Sequence, residues 1–333
     1  MTDQVNLNPE TQDILSIGSV YLDVNSPNFP FTDSIKANSE TVGGSYILTP
    51  GGSAMNFAKV SAFLDLKPIL ISKIGTDNIG KILEQLIQQT GITPALIKSG
   101  AAQTNIGVNY TNTSGQTITA SVGTANQDLN SSEINSQLTT YLPQVKYLYL
   151  SGFFKLKQLI SFYPEILSQA KKHNVQVILD HGHTGNVATP DETKVLIELM
   201  KYVDVYMPNQ DEILDLWQAQ DLAYAIQKVR SVTKALIVVK QAEQGAVGQE
   251  VGDPIQVPAF PVAAISTVGA GDSFNAGFIK AKLLNKSLKD SLIFANATAA
   301  ISVSQKTLPT AQQVEDFISQ SAQQSAPPTQ KIE

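Results

Sequence analysis

Apolar residues along the chain fall into short runs, each closed by a small or polar residue. Asp13 to Ile17 ends at Gly18, Pro68 to Ile74 at Gly75, and Tyr147 to Leu150 at Ser151. Val175 to Leu179 ends at Asp180, Val203 to Met207 at Pro208-Asn209, and Ala235 to Val239 at Lys240. Runs of this length, bounded by turn residues, predict strands. Between them the spacing changes to that of a helix: Phe57, Val60 and Leu64; Ile79, Ile82, Leu83 and Leu86; Leu156, Leu159, Ile160 and Tyr163; Phe274, Gly277, Phe278 and Ala281. Strands alternating with helices predict βαβ units and an α/β class fold: three-layer α/β/α with a mostly parallel central sheet. In such sheets ligands bind outside the carboxyl ends of the strands, where Gly18, Gly75, Ser151, Asp180, Asn209 and Lys240 fall.

Two segments break the rhythm. Residues 24–48 are rich in Asn, Ser, Thr and Pro with weak alternation, and residues 103–122 alternate at Ile106, Val108, Tyr110, Ile118 and Ala120 around a turn at Gly115-Gln116. Together they predict a small β-sheet inserted into one domain spanning residues 1–333. Residues 319–333, rich in Gln, Ser and Pro, are expected to be frayed.

Glycine turns open two of the helices. Gly51-Gly52-Ser53-Ala54-Met55-Asn56 starts one and Ser266-Thr267-Val268-Gly269-Ala270-Gly271-Asp272 starts another. Small residues there let backbone N–H groups crowd a ligand, and a helix N-terminus suits an anion such as phosphate. Asp272 could touch a metal, take a proton, or simply cap the helix. The dinucleotide pattern starts at Gly269 and Gly271 but meets Phe274 at the third glycine. Gly75 to Lys81 approaches a Walker A loop, yet Ile82 stands where a hydroxyl must hold Mg²⁺, so a plain strand-turn-helix connection is expected. Asn209 and Glu212, three apart after a strand, are hard oxygen ligands on one side of a helix start, or a helix start whose Glu is favoured by the dipole. Asp180-His181-Gly182-His183 has the His-x-His form of a hydrolase metal site, but His173 is the only further histidine and there is no cysteine, so a loop lining a pocket is the better reading.

Composition narrows the partners. The 333 residues are 42% hydrophobic and 16% charged, with net charge −6 and no basic tract, which argues against nucleic acid and anionic membranes. The lack of cysteine excludes disulfides and thiolate chemistry. The polar stretch Met1 to Gln12 has no apolar core of a secretory signal, so a cytoplasmic location is expected.

Taken together, the motifs resemble the ribokinase-like, or phosphofructokinase-B, family of carbohydrate kinases over nearly the whole chain. Gly51-Gly52 with Asn56 and Ala58 is similar to its N-terminal signature, and Gly75, Asp77 and Gly80 to its G-x-D-x-x-G element. Asn209 with Glu212 is similar to its N-x-x-E motif, Thr267 to Phe274 to its C-terminal signature, and Leu308-Pro309-Thr310 to its closing element. The resemblance implies a β lid over the α/β/α core and phosphoryl transfer from ATP to a hydroxyl of a sugar. A nucleoside kinase and a catalytically silent sugar-binding protein are the alternatives.

It further implies that Asp272 accepts the hydroxyl proton while Gly269, Ala270 and Gly271 form an anion hole. Asp23, Gly51, Gly52 and Asn56 would bind the substrate; Asn209, Lys240, Gly245, Thr267 and Asn296 the nucleotide; and Asn209 and Glu212 Mg²⁺ through water. An aspartate at a helix N-terminus is expected to be a weak base, because its charge is stabilised there. Ser266 stands where many members carry an aspartate of a monovalent-cation site, so K⁺ activation is an open question. Ala242 replaces a glycine of the nucleotide strand, and His181 to Thr184 lack the Asn and Arg found in many members. No Lys or Arg cluster marks the N-terminal substrate motif, and Ser53 occupies the place for a basic residue, which points to an unphosphorylated acceptor. The lid offers an edge through which two copies could pair as a homodimer.

Overall fold

Each central strand carries apolar side chains on both faces. Ile14 and Tyr149 pack into one core, whereas Leu15 and Leu150, their chain neighbours, pack into the other. This two-sided burial requires helices above and below the sheet. The computed structural model describes residues 12–31, 38, 40–114, 116–184, 188–305 and 307–325.

The first half of the chain runs β1 (Ile14–Ile17), β2 (Tyr21–Ser26), β3 (Ile47–Gly51), α1 (Ser53–Phe63), β4 (Pro68–Gly75), α2 (Asn78–Gln88), β5 (Thr93–Ser99), β6 (Ile106–Thr111), β7 (Thr117–Val122), α3 (Ala125–Asp128) and α4 (Ser131–Tyr141). It continues through β8 (Tyr147–Ser151), α5 (Tyr163–Lys172), β9 (Gln176–Asp180), α6 (Pro190–Leu199), β10 (Val205–Tyr206), α7 (Gln210–Trp217) and α8 (Leu222–Arg230). The last part comprises β11 (Leu236–Lys240), β12 (Ala246–Gln249), β13 (Ile255–Val257), α9 (Ala270–Leu283), α10 (Leu288–Ser304) and α11 (Ala311–Ser325).

Nine strands form the main sheet in the order β13-β12-β11-β10-β9-β8-β1-β4-β5. All neighbours are parallel except β11-β12 and β12-β13, an antiparallel edge the hydrophobic pattern does not announce. Helices α4 to α8 cover one face, and α1, α9, α10 and α11 the other. The fold is thus the expected three-layer α/β/α arrangement. No described helix is long and apolar enough to cross a membrane.

A separate four-stranded sheet, β3-β2-β6-β7, stands beside this core. Its strands begin at Tyr21, so Asp23 belongs to the small sheet itself. Residues 32–37, 39 and 115 of the expected lid segments lie outside the described residues. The chain enters and leaves this sheet at four places, and two asparagines stitch three of them together, before β2, before β6 and after β7. The Asn126 side chain accepts from Val20 N–H (3.1 Å) and donates to Val20 C=O (3.0 Å), while Asn105 Oδ1 accepts from Asn126 N–H (2.9 Å).

The near-Walker segment is a plain connection. Asp77 caps α2 through Gly80 N–H (2.7 Å) and accepts from Thr104 N–H (2.8 Å), and Lys81 is exposed. The C-terminal expectation needs correction: residues 319–325 continue α11, and residues 326–333 lie outside the described residues. Helix α11 has buried Val314 packed on the core, with Phe317 and Ile318 against it at helical spacing, which outweighs the polar composition.

Asn126→Ala leaves both backbone groups of Val20 buried without partners. It should lower stability by about 2–4 kcal/mol, read as an earlier midpoint in urea unfolding.

Candidate active site

Helix α9 begins at the carboxyl ends of the strands. Its N-cap is Gly269 in a left-handed conformation (φ 77°), and no side chain caps it. Asp272 is the third helical residue, so the simple capping role is not the one it plays. Ala270 N–H donates to the Thr267 carbonyl (3.2 Å). The N–H groups of Gly271 and Asp272 have no backbone acceptor among the described residues. Free donors in the first turn, with the helix dipole behind them, form an anion-binding surface.

These residues wall a cavity of about 770 Å³. Asp272, Gly269, Ala270, Gly271, Asn209, Glu212, Lys240, Gly245, Thr267 and Asn296 all line it. Asp23, Gly51, Gly52 and Asn56 do not line it directly. Asn56 joins the two groups, donating from Nδ2 to Asp272 Oδ2 (3.2 Å) across 216 residues of chain. The Asp23 carboxylate lies over the backbone of Gly51 and Gly107, where a methyl on either would come within 1.8 or 2.2 Å of it.

Asn209 and Glu212 form a reciprocal capping box on α7. Asn209 Oδ1 accepts from Glu212 N–H (2.8 Å), and Glu212 Oε2 accepts from Asn209 N–H (2.8 Å). The helix-start geometry is present, and both residues also line the cavity. Glu212 Oε1 takes no hydrogen bond among the described residues and is the oxygen left for a hydrated cation. Among the described residues no group of three or more His, Asp or Glu converges as a protein-only metal cage. His181 is fully buried with Nδ1 3.4 Å from Tyr206 Oη, whereas His183 is exposed, so the two do not act as a ligand pair.

Lys240, expected beside the nucleotide, directs its ammonium inward. Nζ donates to Asp180 Oδ2 (2.6 Å), the Met207 carbonyl (2.6 Å) and Asn275 Oδ1 (3.3 Å), and Asn275 Nδ2 also donates to Asp180 Oδ2 (2.6 Å) and Tyr149 Oη (3.0 Å). Motif reading passed over this network. Its signal was a polar residue, Asn275, one turn past Asp272 and set within the apolar run from Phe274 to Ile279. Asn296 Nδ2 is likewise engaged, donating to the carbonyls of Val257 (3.3 Å) and Pro258 (3.1 Å).

Burial dominates the electrostatics. It pushes Asp272 up to about 7, with Asp180 raising it further and Lys240 and the Asn56 hydrogen bond opposing. The expectation of a weak base is therefore corrected: desolvation outweighs the helix terminus. Burial and then Asp180 push Glu212 up to about 7. Burial lifts Asp23 to about 6 against the pull of Lys59 and Lys155. These two lysines also escaped motif reading, because nothing in their local sequence signals that they meet Asp23.

Comparison with known proteins identifies the family and the fold. The family model "pfkB family carbohydrate kinase" matches residues 11–313. A ribokinase of Haemophilus influenzae is 28% identical over 298 residues, covering 85% of this chain and 92% of the relative. A 5-dehydro-2-deoxygluconokinase of Bacillus subtilis is 26% identical over 323 residues, covering 92% of this chain and 95% of the relative. Among solved structures, Arabidopsis thaliana ribokinase complexed with ribose and ATP superposes with a TM-score of 0.77 at 22% identity, over 93% of this chain and 99% of that one. An E. coli protein assigned as a ribokinase II, in complex with ATP and Mg²⁺, gives 0.80 at 18% identity over the same shares. At these identities the structures establish the fold, and ATP with Mg²⁺ is a feature of proteins that share it. The family model covers most of the chain, the turn Gly269-Ala270-Gly271 included, and the chain belongs to the pfkB family of carbohydrate kinases, phosphotransferases acting on an alcohol group.

Proposed function

We propose that this chain transfers the γ-phosphoryl group of ATP to a hydroxyl of a sugar. The observation that carries the reading is the Asn56–Asp272 hydrogen bond beside the open first turn of α9. It brings a substrate motif, a carboxylate and free amide donors to one end of the cavity. The named activities of the relatives divide between ribose and a sugar acid, so a sugar is the common acceptor.

Asp272 takes the acceptor proton. The turn Gly269-Ala270-Gly271, with its free donors at Gly271 and Asp272, holds the charge on the transferring phosphoryl oxygens. Asp23, Asn56 and the Gly51-Gly52 turn orient the acceptor hydroxyls. Gly245, Thr267 and Asn296 border the nucleotide, and Lys240 supports the wall from beneath. Asn209 and Glu212 would hold Mg²⁺ through water, a fit given by the uncommitted Glu212 Oε1 and the lack of a closed protein cage among the described residues. Mg²⁺, when bound, offsets the phosphate charge as the donor bond loosens. Such a transition state asks for position and charge neutralisation more than for a strong base, and sheet closure excludes competing water.

Asp272→Asn should lower kcat by about 10²–10⁴-fold while calorimetry still detects ATP binding. Near-parental turnover in that variant would remove Asp272 as the base.

The pH dependence has a definite sign. Only ionised Asp272 accepts a proton, so kcat/KM should climb with pH up to about 7 and then level. Stability runs the other way. A carboxylate raised from 3.8 to about 7 binds its proton more tightly folded than unfolded, so stability falls as pH rises across that window. Measured without ATP and Mg²⁺, Asp272→Asn should therefore melt higher than the parent at pH 8 and close to it at pH 4.

A further inference from the structure

Helices α1 and α9 pack on the same face of the main sheet and meet at their first turns. Asn56 Nδ2 donates to Asp272 Oδ2 (3.2 Å), and a methyl built on Gly269 would sit 3.5 Å from the same Nδ2. One hydrogen bond between two side chains fixes a distance, not the setting of two helices. Phe274, Ala276, Phe278 and Ile279 of α9 share a core with Phe57 and Val60 of α1. Apolar packing is non-directional, so something else must fix how far each helix is turned.

Both helices take a directional contact from one side chain. Tyr149 is fully buried in that core, on β8, which lies between β1 and β9 in the sheet. Its ring stacks on that of Phe57, the residue after Asn56, with centroids 3.6 Å apart and planes 12° from parallel. Its hydroxyl accepts from Asn275 Nδ2 (3.0 Å), one turn after Asp272. Asn275 is held in turn by Asp180 Oδ2 (2.6 Å) and Lys240 Nζ (3.3 Å). A circuit therefore closes. It runs from Asp272 to Asn56, along α1 to Phe57, through the stack to Tyr149, through the hydroxyl to Asn275, and along α9 back to Asp272. Tyr149, Phe57 and Asn275 do not line the cavity, so they touch neither sugar nor nucleotide there.

We infer that Tyr149 is a positioning residue, whose ring sets α1 and whose hydroxyl sets α9, so that one buried phenol fixes how Asn56 approaches Asp272. The inference rests on the transfer reading for what Asn56 and Asp272 do, and on the contacts alone for what Tyr149 does. Motif reading passed over it because an aromatic inside an apolar strand run reads as core. The two contacts are separable. The hydroxyl acts on the helix that carries the base, and so on kcat. The ring acts on the helix that carries a sugar-binding residue, and so on KM.

Tyr163 supplies a matched control. It is fully buried in the opposite core, stacks on Phe153 with centroids 4.8 Å apart, and its hydroxyl has no hydrogen-bond partner among the described residues. ADP release by the full chain is measured with ATP, Mg²⁺ and whichever of D-ribose, D-fructose and 5-dehydro-2-deoxy-D-gluconate turns over fastest. Tyr149→Phe should lower kcat about 10–100-fold with KM little changed, the scale of misplacing a reacting group by up to one ångström. Phe57→Leu should raise KM for the sugar about 3–10-fold with kcat little changed, the worth of one aromatic pair. Tyr163→Phe should leave both constants at the parental values, whatever it does to the melting temperature. A Tyr149→Phe kcat equal to that of Tyr163→Phe, or a Phe57→Leu KM equal to the parent's, overturns the inference. Should the parent release ADP with none of these sugars, the transfer reading fails, and the side-chain amide resonance of Asn56 decides separately. That resonance is assigned by its loss in Asn56→Ala and followed without ligands at pH 8, where Asp272, raised to about 7, is ionised. A shift in Tyr149→Phe that Tyr163→Phe lacks upholds the positioning role, and an unmoved resonance overturns it.

Discussion

The ammonium of Lys240 is the point on which the cavity end of the fold is built. It ties β11 to Asp180 at the end of β9, to the Met207 carbonyl after β10 and to Asn275 on α9, and Asn275 extends the tie to Tyr149 on β8. Four parallel strands and the helix they support are therefore locked together beneath the first turn of α9. A buried ion pair of this kind adds little net stability over an apolar replacement, but removing one partner leaves a charge stranded, at about 3–5 kcal/mol. Its value here is positional. It sets where α9 starts, and with it where the free amides of Gly271 and Asp272 point.

The same cluster explains the unusual acidity around the cavity. Asp180, Glu212 and Asp272 share one nearby cation, Lys240, in a region drained of water. Asp180 is paired, so the remaining two carboxylates carry the cost of burial and hold their protons to about 7. A site in this state resists accumulating negative charge until positive charge arrives. Phosphoryl transfer supplies that condition, because nucleotide phosphates come with their divalent cation.

The three-layer fold was legible in the strand runs, and the small or polar residue closing each run marked the carboxyl edge of the sheet, where the cavity lies. The glycine-opened start of α9 was legible too, because Gly269, Ala270 and Gly271 precede a run at helical spacing. What sequence patterns could not convey was long-range pairing. The Asn56–Asp272, Lys240–Asp180 and Lys73–Glu133 contacts join residues 216, 60 and 60 positions apart, and no local periodicity encodes them. The acidity of Asp272 was misjudged for a related reason: the helix dipole is local and readable, but desolvation comes from the whole surrounding fold. The edge strands β12 and β13 and the last turns of α11 were missed because short or polar segments owe their structure to what they pack against.

The small sheet is assembled from two insertions, and its strand pairing has a kinetic consequence. Strand β2 pairs with β6 in a register that sets Asp23 against Gly107, so the central seam closes a loop of 84 residues. Pairings of such separation form slowly unless the intervening chain has already been gathered. That chain includes β4, which must first dock beside β1 to bring the two insertions together. Sheet assembly is therefore expected to proceed from the core outward, with Asp23 among the last side chains to arrive. A molecule caught just before that step would hold the main sheet nearly complete and leave the cavity end without the small sheet beside it.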